Sequence, residues 1–112
     1  MYELHGRVTI DPEVLLAIAR LTTLEVPGVT RLVAGRVREL LHSPAAEGIQ
    51  INVENNRVRA DLYVAIQADK NLRQVAKDIQ SQVARAIRDI VGMDIAAINI
   101  HIEDVDYPTP PA

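Results

Sequence analysis

At 112 residues the chain is long enough for one domain with one hydrophobic core. Hydrophobic residues make up 48% and charged residues 24%, with no Phe, Trp or Cys, so the core is aliphatic and disulfides, thiolate nucleophiles and cysteine metal sites are excluded. A net charge of −3 and the scarcity of aromatic rings argue against a general nucleic-acid binder, which needs a basic footprint and stacking platforms.

Residues 2–10 alternate, with Leu4, Val8 and Ile10 on one side and His5, Arg7 and Thr9 on the other, which predicts a strand with one wet face. The opening "MYELHGRVTID" is charged and unlike a signal peptide, and no apolar run approaches the roughly 20 residues of a membrane span. The expectation is a cytoplasmic protein with no direct membrane insertion. In "DPEVLLAIARLTTLEVPG", Asp11 suits an N-cap, Pro12 the first helical position and Glu13 the positive end of the dipole. Pro27-Gly28 stops this helix. Val14, Ile18 and Leu21 share a face, with Leu15 and Thr22 beside it, and this is the expected core stripe. "VTRLVA" fits a short strand, while "GRVRELLHSPAAEG" fits either a helical turn before Pro44 or an open loop.

From residue 49 the pattern sharpens. Ile49, Ile51 and Val53 alternate with Gln50, Asn52 and Glu54, and the chain returns through Val58, Ala60, Leu62, Val64 and Ile66. Asn55-Asn56 tolerates the positive φ angles of a type I′ turn. A two-residue turn there pairs Glu54 with Arg57, Val53 with Val58, Ile51 with Ala60 and Ile49 with Leu62; on the other face it pairs Asn52 with Arg59 and Gln50 with Asp61. A helix over 72–91 follows, capped by Asp69 or Asn71 and stopped by Gly92. Leu72, Val75, Ala76, Ile79, Val83, Ala86, Ile87 and Ile90 fill an arc of roughly 120° that covers one sheet face. In the last strand Ile98, Ile100 and Ile102 alternate with Asn99, His101 and Glu103. The order β-α-(β)-β-β-α-β predicts one α+β domain over 1–105, a mostly antiparallel sheet with two main helices on one face, and a flexible Pro-rich tail over 106–112.

The residues present do not compose an enzyme. Ser43 precedes Pro44 and Ser81 lies mid-helix on the wet side, so neither stands in a nucleophile elbow. The five glycines are too scattered to cradle a phosphate, and no cofactor is expected. His5 and His101 point to the polar faces of their strands, near Asp61 or Glu103, but the spacing is not that of a metal site and none is expected; His42 adds nothing to it. On the far side of the long helix Arg73, Lys77 and Arg88 fall within roughly 60° of one another. With Asp78 and Asp89 beside it, that stripe reads as a solvated face; the alternative is a small nucleic-acid-binding module tracking phosphates along it. A sheet with helices on one side leaves His5, Arg7, Asn52, Arg59, Tyr63, Asn99 and His101 on the other. That face is of mixed charge and able to pair with a second copy, making a homo-oligomer the expected state.

The order of motifs resembles the alkaline shock protein family, the envelope stress response proteins of Gram-positive and related bacteria. "GRVTIDPEVLLAIARLTTLEVPGV" carries its opening pattern at Gly6, Ile10, Glu13, Val14, Ile18, Ala19, Glu25, Val26, Gly28 and Val29. "VRADLYVAI" resembles its central strand through Asp61, Leu62 and Tyr63. "VAKDIQSQVARAIRDIVGMDIAAINIHIEDV" resembles its close, with Gln80, Val83, Gly92, Met93, Ile98 and Asn99 in place. The match covers about residues 4–105 and departs in 30–48, where the family often has a glycine-rich linker. The resemblance implies a non-enzymatic, self-associating cytosolic protein of cell-envelope homeostasis, brought to the membrane by a separate anchoring protein. For some members it implies a bearing on fatty-acid synthesis instead. No catalytic or cofactor residues come with it.

Overall fold

A computed structural model describes residues 5–34, 45–46 and 48–108. The elements are α1 (Pro12–Glu25), β1 (Val29–Leu32), β2 (Ala45–Ala46), β3 (Ile49–Glu54), β4 (Arg57–Gln67), α2 (Leu72–Ala86), a π-helical turn (Ile87–Val91) and β5 (Asp94–Asp106). The fold is α+β, with two helices packed against a mostly antiparallel sheet. Three of its strand pairings are antiparallel, and β4 with β5 is parallel through the α2 crossover.

Strand β4 organises the sheet. β5 pairs with it from Arg57 to Gln67 along one edge. The other edge is shared end to end, with β3 on Arg57–Leu62 and β1 on Val64–Ile66, while the short β2 extends the sheet beyond β3. The β3–β4 hairpin has the register expected from the sequence at all six pairs, Glu54–Arg57 through Ile49–Leu62. Asn55 and Asn56 take the positive φ values, 52° and 61°, that a type I′ turn requires.

The two tandem strands meet at Gly48. Its φ is +75°, and a Cβ there would stand 2.8 Å from Leu32 Cβ and 3.0 Å from Val33 N. Tyr63 bridges the joint: its amide donates to Gly48 O at 2.9 Å and its carbonyl accepts from Val33 N at 2.8 Å.

Ile49, Ile51, Val58, Ala60, Leu62, Val64 and Ile66 point from the sheet into a core closed by Leu15, Leu16, Ala19 and Val26 of α1 and its C-cap, and by Val75, Ile79, Val83 and Ile87. Asn71 is the N-cap of α2, accepting from Gln74 N at 3.0 Å, and Gly92, in the left-handed region at φ 78°, ends the π turn. Gln80, at the margin of the apolar arc, donates from Nε2 to Ile98 O at 2.9 Å and ties α2 to β5.

Three expectations are corrected. The strand expected over 2–10 is not a sheet strand at 5–10: these residues are unpaired and exposed, Val8 to 91%, and 2–4 lie outside the described residues. Both edges of β4 are already occupied, so no central slot remains for another strand. On α1 the core stripe is not Val14, Ile18 and Leu21. The buried face is Leu15, Leu16, Ala19 and Thr23, whereas Val14 and Leu21 are 45% and 58% exposed and Ile18 is only partly buried. The helix is apolar on both sides, so periodicity alone had two stripes to choose from. On the long helix the α geometry stops at Ala86; the wider π turn advances fewer degrees per residue, and Ile90 falls out of the core at 69% exposure. The short β2 was not foreseen, and most of the region left open by the sequence (35–44 and 47, with His42) lies outside the described residues.

Replacing Gly48 by Ala forces a Cβ into the joint at an unfavourable φ, and should destabilise the fold by about 1–3 kcal/mol. Urea unfolding measures this; an unchanged midpoint would contradict the close approach.

Candidate interaction face

The site with most structure is the sheet face that carries no helix among the described residues. Odd-numbered residues of β4 and their neighbours point there. Asn52 on β3, Arg59 and Tyr63 on β4, and Asn99 and His101 on β5 share it, because Asn52 pairs with Arg59 and Tyr63 with His101 across adjacent strands. Five of the seven residues expected on this face are therefore brought together. His5 and Arg7 belong to the unpaired segment before α1 and are not part of the sheet.

At the centre stands Asp61, paired in register with Asn99. Its Oδ1 accepts from Asn99 Nδ2 at 3.2 Å and lies 2.9 Å from His101 Nε2 on the diagonal. The Tyr63 and His101 rings stack at 4.5 Å between centroids and 12° between planes. A carboxylate thus orients an imidazole, which lies flat against a phenol. Both rings are half-buried, which gives the face a preorganised aromatic platform. Among the described residues no group of three or more His, Asp or Glu side chains could hold a metal ion.

One end of the face is closed by a cluster that sequence reasoning missed. Arg31 on β1 reaches across β4 to β5, with Nη2 2.7 Å from Asp104 and 3.0 Å from Asp106, and Nε 3.1 Å from Asp106. Thr30 also donates to Asp106 through Oγ1. Ala65, paired with both Arg31 and Asp104, lies beneath this bridge and is fully buried although it points away from the helices. A β-bulge between Val64 and Ala65 of the β4–β5 ladder shifts the register by one, and this brings Asp104 and Asp106 onto the open face. Simple alternation from Ile98 gives the opposite parity, so the only available signal was the Arg31 and Asp-rich pairing itself. The Asp106 carboxyl is held below its ordinary range by the hydrogen bonds from Arg31 and then Thr30, and the Arg31 guanidinium is raised by Asp106 and Asp104.

At the hairpin end, Asn52, Glu54, Asn55, Arg57, Arg59 and Ala96 line a shallow polar depression. On the far side of the molecule Arg73, Lys77 and Arg88 are all exposed on α2 and the π turn, with Asp78 between them in sequence and hydrogen-bonded to Gln74.

A sequence model of the Asp-23 family, described as having a cell envelope-related function, matches residues 1–107. Protein Spy1535 of Streptococcus pyogenes is 30% identical over 105 residues, covering 92% of this chain and 81% of that one. Protein YqhY of Bacillus subtilis is 25% identical over 108 residues, covering 93% and 80%. Among solved structures, the MamM CTD in a copper form superposes with a TM-score of 0.57 at 13% identity over 89% of each chain. That likeness is one of fold.

The lowered Asp106 value fixes a pH dependence. Its contribution to stability is present above the ordinary carboxylate value of 3.8 and is lost as pH falls through the depressed folded value. Asp106→Asn should therefore flatten the acid limb of a stability-versus-pH curve below about pH 4. An acid limb identical to that of the native chain would contradict the bridge.

Proposed function

This chain belongs to the alkaline shock protein (Asp-23) family, whose function is envelope-related, and we propose that it acts there as a non-enzymatic interaction protein. It self-associates through the open sheet face and reaches the membrane from the cytoplasm through an anchoring partner. None of the described helices is long and apolar enough to cross a membrane, which agrees with such a partner.

The observation that carries this reading is the open face itself. It has a half-buried aromatic pair at its centre and polar residues around it, which is the layout of a hot spot with a wet rim. Its charges alternate in sign across strands, Glu54 against Arg57 and Arg31 against Asp104 and Asp106, so two copies can meet without a net repulsive field. Envelope stress or fatty-acid homeostasis is the setting that family membership suggests.

Two measurements separate this from the nucleic-acid reading. Tyr63→Ala removes the stack without entering the core, and should weaken self-association about tenfold or more by light scattering; native-like association would sink the sheet-face reading. In low-salt titrations with single- and double-stranded oligonucleotides we expect no salt-sensitive binding, and no effect of Arg88→Glu. Micromolar binding abolished by that substitution would transfer the case to the Arg73, Lys77 and Arg88 stripe.

A further inference from the structure

The outer face of α1 is apolar where a surface helix is ordinarily polar. Val14, Leu21 and Leu24 are exposed, and so is Ala17 between them. They follow one another at intervals of three, four and three residues, the spacing of alternating a and d positions in a heptad. They lie within about 80° of one another, opposite the face that Leu15, Leu16 and Ala19 bury on the sheet. A helix apolar all round is normally covered on both sides. The charged side chains of α1 flank this stripe: with Val14 and Leu21 at a, Glu13 and Arg20 occupy g and Glu25 occupies e.

We propose that a second copy of this chain docks on this stripe, the two α1 helices lying side by side and parallel about a two-fold axis. Charge selects both the occupant and the direction. In a parallel pair the g position of one helix faces the e position five residues further along the other, so Arg20 meets the partner's Glu25, and the symmetry repeats the pair. In an antiparallel pair with the same layers, Arg20 meets the partner's Arg20 close to the axis, and like charges oppose docking. Small Ala17 sits between larger layers and allows the backbones to approach. The core already holds α1 in place, so pairing carries no helix-nucleation cost. This contact is centred on the helix side of the molecule, although Arg20 and Leu24 at its C-terminal end share a depression with Thr30 and Arg31, and it rests on its own observations, not on the role proposed above.

The chain has no cysteine, so single-cysteine cross-linking reads the register directly. Val14→Cys should form a disulfide-linked dimer with itself under mild oxidation. In an antiparallel pair position 14 would face position 24 instead, about 15 Å along the axis. Arg20→Glu and Glu25→Arg should each weaken this association about tenfold, and mixing the two variants should restore it as a heterodimer in which every Glu faces an Arg. Tyr63→Ala should leave the Val14→Cys cross-link intact, so failure of the sheet-face reading and failure of this one are distinguishable. The substituted side chains on α1 are all exposed and Tyr63 is half-buried outside the core, and circular dichroism checks that the variants fold. A Val14→Cys chain that links only to a Leu24→Cys chain, or to neither, would overturn the proposal. So would charge variants that associate like the native protein.

Discussion

Both edges of β4 are filled, and most of the molecule follows from that. A strand pairs with at most two neighbours. Here one neighbour is β5 over the full length, and the other place is divided between β3 and β1 end to end. The division requires a joint narrow enough for two chain ends and one amide exchange, and this is why Gly48 stands beside Leu32 with a positive φ and why Tyr63 bonds to both strands. It also requires something to hold β1, only four residues long, against the rest of the sheet. The bridge of Arg31 to Asp104 and Asp106 does so from the open side, spanning β4 over Ala65. Because the bridge is exposed, it contributes more to register than to net stability.

The same arrangement sets the two faces apart. The helices bury the branched aliphatic residues of one face, and with no Phe or Trp to fill volume the core is built from Ile, Val, Leu and Ala in many contacts. The opposite face keeps its aromatic rings for the surface. Tyr63 and His101 lie together there because β4 and β5 run parallel in register, and Asp61 orients the imidazole from the neighbouring pair. The face therefore presents a stacked ring pair and polar side chains to solvent in a fixed arrangement.

Much of this was legible in the sequence, though unevenly. The hairpin was read to the residue because strict alternation on both strands and Asn55-Asn56 at the tip allow one register only. Helix α2 was read from one clean apolar arc, and only the π turn that expels Ile90 escaped, since periodicity assumes constant pitch. In α1 two apolar stripes compete, and the choice between them is made by the sheet it lands on, a tertiary fact. Residues 5–10 alternate like a strand but pair with none of the described strands, and both edges of the central β4 are taken, which again depends on topology and not on local pattern. On the face, Asn52, Arg59, Tyr63, Asn99 and His101 were anticipated. The β-bulge that swings Asp104 and Asp106 round to Arg31 was hidden, because one extra residue reverses parity without a local sign.

That the domain works through defined surfaces of its own is tested most directly by following backbone and side-chain NMR shifts of the intact chain over a dilution series. Concentration-dependent shifts should concentrate at Tyr63, Asn99 and His101 on the open sheet face and at Ala17 and Leu21 on α1, while Arg73, Lys77 and Arg88 stay fixed. A spectrum unchanged over the whole series, or shifts confined to the α2 exterior, would contradict it.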